Sequence, residues 1–407
     1  MVVATLLRAR GSTGVQTHFG ELVGFRASRG LPVALVTPFS DGGAGRDALF
    51  AVRRLLSLVH GGAGVLWYNR FHRLFLERAL RGRLAAMGPA AVYCQCPGAA
   101  LAALRSRRDP SQRVVLAVHF CGSQADEWVL KGAITRDGRA FRAIRRIEAD
   151  VLARVDGLVF VSDAAREQLW QRVREGLPSA TIPNFVAAAP ASPPGRATGS
   201  HAELVTVGAL EPNKNHAFLV DVLAVAARRG HRFTLDVIGD GPERRALFRR
   251  CQAAGVGDQV RFLGYVPDTR RLLAGYRAYV HVAQRESFGL AVLEAMAAGL
   301  PVVAAPVGGL AQVFDDGVEG RALRLDDPAA AAQVLIEVMC DEPTRSRMAA
   351  AARQRFRRQF ATDVVCPVLE DFLTGTSAPG VPGEAHPAPA EQAPWSERVL
   401  STEQVLS

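Results

Sequence analysis

Lys214 lies in the stretch Val207–His216, VGALEPNKNH, and is one of two lysines in a 407-residue chain that otherwise uses arginine for its fixed positive charge. It follows the apolar run Leu204–Val207 and precedes Asn215, a residue type suited to capping the helical pattern behind it. An ammonium beside the free N–H groups of a helix start favours a phosphate through both dipole and hydrogen bonds. A compact point charge in an arginine-rich chain argues against a generic surface lysine. The second reactive stretch is Glu286–Gly299, ESFGLAVLEAMAAG. Glu286 falls in a loop after an apolar run, and Glu294 falls on a helix beginning near Gly289. The two carboxylates can thus flank one ligand and accept bonds from its hydroxyls, as sugar recognition requires. Taken alone the pair is a weak signal, since one solvated helix-face Glu and one Glu at a helix N-terminus would also explain it.

Placing such groups takes strand ends that open into helices. The seam of the chain is Ala187–Ser200, AAAPASPPGRATGS, rich in Pro, Ala, Gly and Ser, and residues 187–202 read as an interdomain linker. In residues 1–186 the apolar runs Leu31–Thr37, Val114–Val118 and Leu158–Val161 alternate with helical patterns. In residues 203–373 the alternation is cleaner: Leu204–Val207, Phe233–Ile238, Val260–Leu263, Tyr279–Val282 and Pro301–Ala304, with helical patterns over Ala217–Arg229 and Arg244–Ala254. Most of these runs are apolar on both faces, as buried parallel strands covered by helices are. The expected fold is α/β: two doubly wound, Rossmann-like domains facing a cleft, with ligands beyond the carboxyl ends of the strands. The last helix of the second domain is allowed a return to the first domain. Residues 374–407 are rich in Pro, Ala and Gly and read as a disordered tail.

Composition narrows the class. With 49% hydrophobic and 22% charged residues the chain is globular. It has no run of about 18 uncharged apolar residues, and MVVATLLRAR lacks the order of a secretory signal, so a cytoplasmic location is expected. Six cysteines, the closest pair being Cys94 and Cys96, form neither a disulfide framework nor a zinc-finger spacing. The net charge of +10 is uneven: residues 1–186 carry 26 Lys/Arg and 14 Asp/Glu, giving +12, which leaves −2 for the rest. That half is expected to face something acidic. Nucleic acid is disfavoured, because aromatics are only 7% and do not interleave with the arginines. Asn69–Leu84, NRFHRLFLERALRGRL, places basic and apolar residues at helical spacing; it reads as an anionic-membrane surface or as the solvated face of an ordinary amphipathic helix. No GxGxxG, Walker lysine motif or HExxH is present.

Taken together, VGALEPNKNH, IGDGPERRAL, FLGYVPD and ESFGLAVLEAMAAGLPVVAAPVGGL in the second half resemble a family 4 glycosyltransferase of the GT-B fold. TGVQTHFGEL (Thr13–Leu22), VVLAVHF, VFVSDAARE (Val159–Glu167) and TIPNFV (Thr181–Val186) extend the resemblance over nearly all of the chain except the tail. It implies a retaining, metal-independent enzyme that uses a nucleotide sugar. By resemblance, Lys214 would contact the donor diphosphate, Glu294 the ribose hydroxyls and Glu286 the hydroxyls of the transferred sugar. Backbone amides around Phe288, Gly289 and Leu290 would support phosphates and sugar, Val266 would edge the base, and Gly14 would let backbone approach the donor. His119 would face the transferred sugar; on residue type alone it reads equally as a hydrogen-bonded core histidine. Two positions depart from the family pattern: Ala209 stands where an Arg is common, with Arg285 a candidate replacement, and Phe185 stands where a Gly is usual.

The expectation is therefore transfer of a hexose from a UDP- or GDP-linked sugar to a hydroxyl acceptor, with no cofactor beyond that donor substrate, no metal and no nucleic-acid partner. The acceptor side is expected to serve cell-surface polysaccharide synthesis on a lipid-linked glycan, with the enzyme peripheral at the inner membrane face. The alternatives are a non-catalytic sensor or assembly partner, suggested by Ala209, and a GT-B nucleotide-sugar epimerase.

Overall fold

The computed structural model describes residues 1–40, 61–188 and 202–376. Most of the Pro-rich seam (189–201) and of the expected tail (377–407) lies outside the described residues. Two six-stranded sheets organise the chain, and every strand pairing in them is parallel.

The first sheet contains β1 (Val2–Ala4), β2 (Ala34–Val36), β3 (Ala90–Cys94), β4 (Gln112–Val118), β5 (Gly157–Phe160) and β6 (Ser179–Thr181) in the order β2-β1-β3-β4-β5-β6. The strand expected over Leu31–Thr37 is shorter than its apolar run, because β2 is an edge strand paired only to the three residues of β1. Val92, Val114, Leu116 and Leu158 are fully buried, which is why these runs are apolar on both faces. The second sheet contains β7 (Leu204–Val207), β8 (Leu235–Ile238), β9 (Val260–Gly264), β10 (Ala278–His281), β11 (Val302–Ala304) and β12 (Gly320–Ala322) in the order β12-β11-β10-β7-β8-β9.

Strand order reverses direction between β1 and β3 in the first sheet and between β7 and β10 in the second. At such a switch point the loops leaving two adjacent strands run to opposite faces of the sheet and open a crevice. The loop after β7 carries Lys214, and the loop after β10 carries Glu286. Doubly wound connectivity therefore brings together two residues 72 positions apart.

The last described helix packs back on the first domain. In the helix Thr362–Thr374, Val365, Cys366, Leu369 and Leu373 pack among Val3, Phe19, Tyr93 and Val115. Arg26 pairs with Glu370 at 2.5 Å, and Arg113 donates to the Phe372 carbonyl at 2.6 Å. Where the chain leaves and re-enters the first domain, the Val186 N–H donates to Phe360 O (3.3 Å) and the Thr362 N–H to Val186 O (3.1 Å).

The ends of β7 and β8 approach closely. Gly239 has φ of 141°, and a Cβ placed there would lie 1.9 Å from the Gly208 carbonyl oxygen. The obstacle is backbone rather than a side chain that can swing aside. Gly239→Ala is therefore expected to cost about 2 kcal/mol or more, read as a lowered denaturation midpoint; a wild-type midpoint would show that the two strand ends separate freely.

Candidate functional site

Lys214 ends the single 3₁₀ turn Pro212–Lys214, and the helix His216–Arg228 starts two residues later. Asn215 was expected to cap that helix. It instead adopts a left-handed conformation (φ 56°, ψ 33°) and makes no side-chain cap bond. Asn is among the few side chains that tolerate this conformation, and here it serves the sharp change of direction between the two turns. The Gln284 N–H donates to Asn213 O at 2.9 Å, tying the loop after β10 to the loop after β7.

Across that tie the Lys214 Nζ donates to Glu286 Oε2 at 2.6 Å, and His281 Nε2, at the end of β10, lies 3.3 Å from the same oxygen. Burial pushes the Glu286 carboxyl up, but the Lys214 ammonium and the His281 ring outweigh it and hold the group well below the usual carboxylate range. Glu286 is thus an anion at neutral pH, with lone pairs free to accept from further donors.

Glu294 lies on the helix Leu290–Ala298 and accepts a bond from Thr269 Oγ1 at 2.7 Å. Burial raises its pKa, against the Thr269 bond and the Arg270 charge. Gly289 precedes this helix with φ of 97°, a turn that L side chains resist. The Phe288 side chain is buried against Phe360, ring centroids 5.8 Å apart, so a ligand could use only its backbone. Val266 follows β9 and packs partly buried against the second domain's core. Gly14 opens the helix Gly14–Ser28, whose Thr13 and Gln16 form a reciprocal capping box. A Cβ on Gly14 would sit 3.2 Å from the Leu290 side chain, so the glycine loops of the two domains face one another.

His119, just past β4, lies 3.0 Å through Nε2 from Gln95 Oε1 and meets the edge of His18 at 4.7 Å between centroids. Burial lowers its pKa to about 4, so the ring is neutral and, facing a carbonyl oxygen, carries its proton on Nε2. His119 lines a cavity of about 500 Å³ in the first domain, which joins the two readings of this residue: it is hydrogen-bonded and it also borders open space. Phe185 is fully buried against His18, filling volume in the core.

Polar contacts bridge the two domains. Ser162 Oγ accepts from the Ala165 N–H, capping the helix Asp163–Trp170, and it also donates to Ser287 O at 2.9 Å. The Asp163 N–H donates to Gln312 Oε1 at 2.9 Å, and Arg270 pairs with Glu21 at 3.1 Å. Lys131, the other lysine, reaches Glu211 at 3.9 Å. Arg285 is exposed on the Glu286 loop, near the Cys121 thiol of the first domain, which burial keeps protonated.

Sequence reasoning passed over His281, Gln95 and Glu127. His281 ends its strand as His119 follows its own, which was a usable signal. Gln95 and Glu127 lie in stretches that give no periodic or motif cue. Among the described residues no three His, Cys, Asp or Glu side chains gather to hold a metal ion, and no helix is long and apolar enough to cross a membrane.

Two Rossmann-like domains with a lysine–glutamate pair at the switch point of the second define a GT-B protein. The structure superposes on HepE from Anabaena in complex with UDP (TM-score 0.68, 18% identity, 92% of this chain and 100% of that chain). It also superposes on sucrose-phosphate synthase from Thermosynechococcus elongatus (TM-score 0.69, 17% identity, the same coverage). The Glycosyltransferase Family 4 model matches residues 12–189, and the Glycosyl transferases group 1 model matches residues 195–355. The chain belongs to glycosyltransferase family 4. Similar curated proteins include a phosphatidyl-myo-inositol mannosyltransferase of Mycobacterium leprae, 34% identical over 54% of this chain and 60% of that protein. A D-inositol 3-phosphate glycosyltransferase of Xylanimonas cellulosilytica is 42% identical over 33% of this chain and 32% of that protein. The matches thus span about a third to 60% of these relatives' lengths.

The neutral histidines have a consequence for stability. His119 and His216 both have pKa values lowered to about 4, chiefly by burial. Between the ordinary histidine value near 6.5 and about 4, the unfolded chain binds more protons than the native one, so stability falls as pH falls through that window. Glu286, also lowered, adds to the loss at the acid end. Melting temperature should drop steadily from pH 7 to pH 4, with each histidine contributing up to about 3 kcal/mol; a flat profile over that range would contradict the neutral assignment.

Proposed function

We propose that this chain transfers a hexose from a UDP- or GDP-linked sugar to a hydroxyl acceptor, with retention at the anomeric carbon and without a metal. The observation that carries this reading is the Lys214–Glu286–His281 cluster in the switch-point crevice of a family 4 chain. The chemical task is to stabilise a departing nucleoside diphosphate while the sugar gains positive charge. Lys214 moves from Glu286 to the diphosphate, and Arg285, on the same side of the cleft, supplies the second cation that Ala209 does not. Such fixed donors contribute factors of about 10²–10³ each. Glu286, ionised and partly relieved of Lys214, accepts bonds from hydroxyls of the transferred sugar.

Glu294 takes the ribose hydroxyls, Val266 borders the base, and the backbone at Gly14 and at Phe288, Gly289 and Leu290 approaches the phosphates. His119, being neutral, offers hydrogen bonds to the sugar rather than a charge. Closure of the domains over the donor excludes water and favours transfer over hydrolysis.

On the acceptor side the reading extends to a lipid-linked glycan in polysaccharide synthesis, handled by a cytoplasmic protein peripheral at the inner membrane face. Its support is the helix Gly61–Ala85, which buries Leu76, Leu80 and Leu84 and exposes Leu66, Arg70, Leu74, Arg78 and Arg81. Basic and apolar residues alternating along an outer stripe suit an anionic bilayer. Flotation with phosphatidylglycerol vesicles should bring the protein up and leave an Arg70→Glu/Arg78→Glu variant behind; equal behaviour on neutral vesicles would remove the membrane from the reading.

The donor is tested by thermal shift with UDP, GDP, ADP and CMP in EDTA. A diphosphate at about 100 times its dissociation constant should stabilise the wild type by roughly 2.7 kcal/mol. Lys214→Ala should lose most of that gain and cut transfer at least about 100-fold, with a smaller loss for Arg285→Ala. No shift with any nucleotide would overturn the transferase reading. A shift without turnover would favour a sensor, and turnover of the nucleotide sugar without acceptor or hydrolysis would favour an epimerase.

A further inference from the structure

The cavity of about 500 Å³ in the first domain opens at that sheet's own switch point, bounded by the ends of β1, β3 and β4 and by the helix Gln124–Leu130. Its wall includes Gln95, which is only 3% exposed. The Gln95 carbonyl oxygen faces His119 Nε2 at 3.0 Å, which turns the amide nitrogen to the other side. The other end, Nε2, is buried with no hydrogen-bond partner among the described residues. An unmet buried donor is costly, and an oxygen atom of a ligand would satisfy it.

Glu127 lines the same cavity. The Cys121 N–H and the nearby Lys131 favour its charged form. Burial, Glu286 across the cleft and Glu148 on the helix Arg139–Arg154 oppose it, and burial dominates, raising the pKa to about 7. Glu148 is itself engaged by Arg145, Arg172 and Ser123, so it does not compete for a ligand. Arg10 and Lys131 also line the cavity, and Arg8 stacks over Phe39 at its edge. With three cationic side chains and one carboxylate, the lining favours a ligand that carries negative charge.

We propose that Gln95 and Glu127 are the acceptor-reading residues, fitted to a polyhydroxylated molecule that bears an anionic group. One oxygen of that molecule accepts from Gln95 Nε2, a hydroxyl donates to Glu127, and the anionic group meets Arg10 and Lys131. A donor-only amide end and a carboxylate that accepts when ionised together select hydroxyls and reject apolar surface, because a poor fit leaves the buried Gln95 donor unpaired and sets apolar surface against a carboxylate. The assignment rests on the transferase reading and names the acceptor class for it.

The test is titration calorimetry with glucose 6-phosphate and glycerol 3-phosphate, each against its unphosphorylated counterpart, on wild type, Gln95→Met, Glu127→Gln and Glu127→Asp. At least one phosphate ester should bind ten-fold or more tightly than its counterpart. Gln95→Met and Glu127→Gln should each weaken that binding about ten-fold, with partial recovery in Glu127→Asp. The wild-type melting temperature and nucleotide shift should be kept in Glu127→Gln. With glucose 6-sulfate, whose charge is constant over the range, affinity should rise with pH through about 7 in the wild type and stay flat in Glu127→Gln. Equal binding of ester and counterpart, no binding of any of them, or wild-type binding by both Gln95→Met and Glu127→Gln, with the nucleotide shift intact, would overturn the pocket assignment and leave the transferase reading standing. Loss of the nucleotide shift in the wild type would instead remove the reading on which it rests.

Discussion

Lys214 and Glu286 each occupy a position where a lone charge would be costly, for both side chains are largely removed from water. Together they form one of the tightest contacts between the loops after β7 and β10, at 2.6 Å, and His281 joins them from the strand end. Removing either partner from a buried pair typically costs about 3–5 kcal/mol because the other is left uncompensated. In the proposed transfer a diphosphate would replace one anion by another beside Lys214, so the lysine need not pass through an unpaired state. The pair that holds the two loops together is thereby the one that the proposed donor phosphate would divide.

That exchange depends on how the second sheet is wound. If β10 followed β7 without a reversal of order, the two loops would lie on the same face and no crevice would open between them. Gly239 and Gly241 serve the same end, letting the turn after β8 pass within contact of the Gly208 and Leu210 carbonyls. The first domain meets this crevice through individual polar bonds, such as Ser162 to Ser287, Arg270 to Glu21 and Lys131 to Glu211. Contacts of this kind break at small cost, and the returning helix Thr362–Thr374 supplies a separate, apolar anchor. The returning helix thus joins the domains through an apolar face, while the contacts named around the crevice are polar.

Much of this was legible in the sequence for physical reasons. Buried parallel strands must be apolar on both faces, so Leu204–Val207, Phe233–Ile238 and Tyr279–Val282 announced the second sheet. Lys214 stood out because the chain has so few lysines, and Glu286 because it precedes a glycine that opens a helix. Asn215 was misjudged: capping propensity is a local preference, and here the turn geometry of the loop decided instead. The edge strand β2 came out shorter than its apolar run because its length is set by its partner β1. Gln95 and Glu127 were invisible as a pair, since they reach one cavity through sheet order and the packing of a separate helix, which no spacing along the chain encodes.

The two histidines that follow or end strands in facing domains show how position sets role. His119 lies against a neutral amide and burial keeps it uncharged, so in the proposed transfer it would orient the sugar without repelling a developing cation. His281 leans on a carboxylate that already holds an ammonium, and so helps keep that carboxylate ionised. Gln95 extends the first arrangement by one bond: a neutral histidine fixes the amide, and the fixed amide presents a donor to the cavity. A protonated His119 would still bond to the Gln95 carbonyl, but it would place a positive charge where the proposed transfer makes the sugar cationic. The burial that costs the fold stability in acid therefore keeps the site electrically suited to the transfer proposed for it.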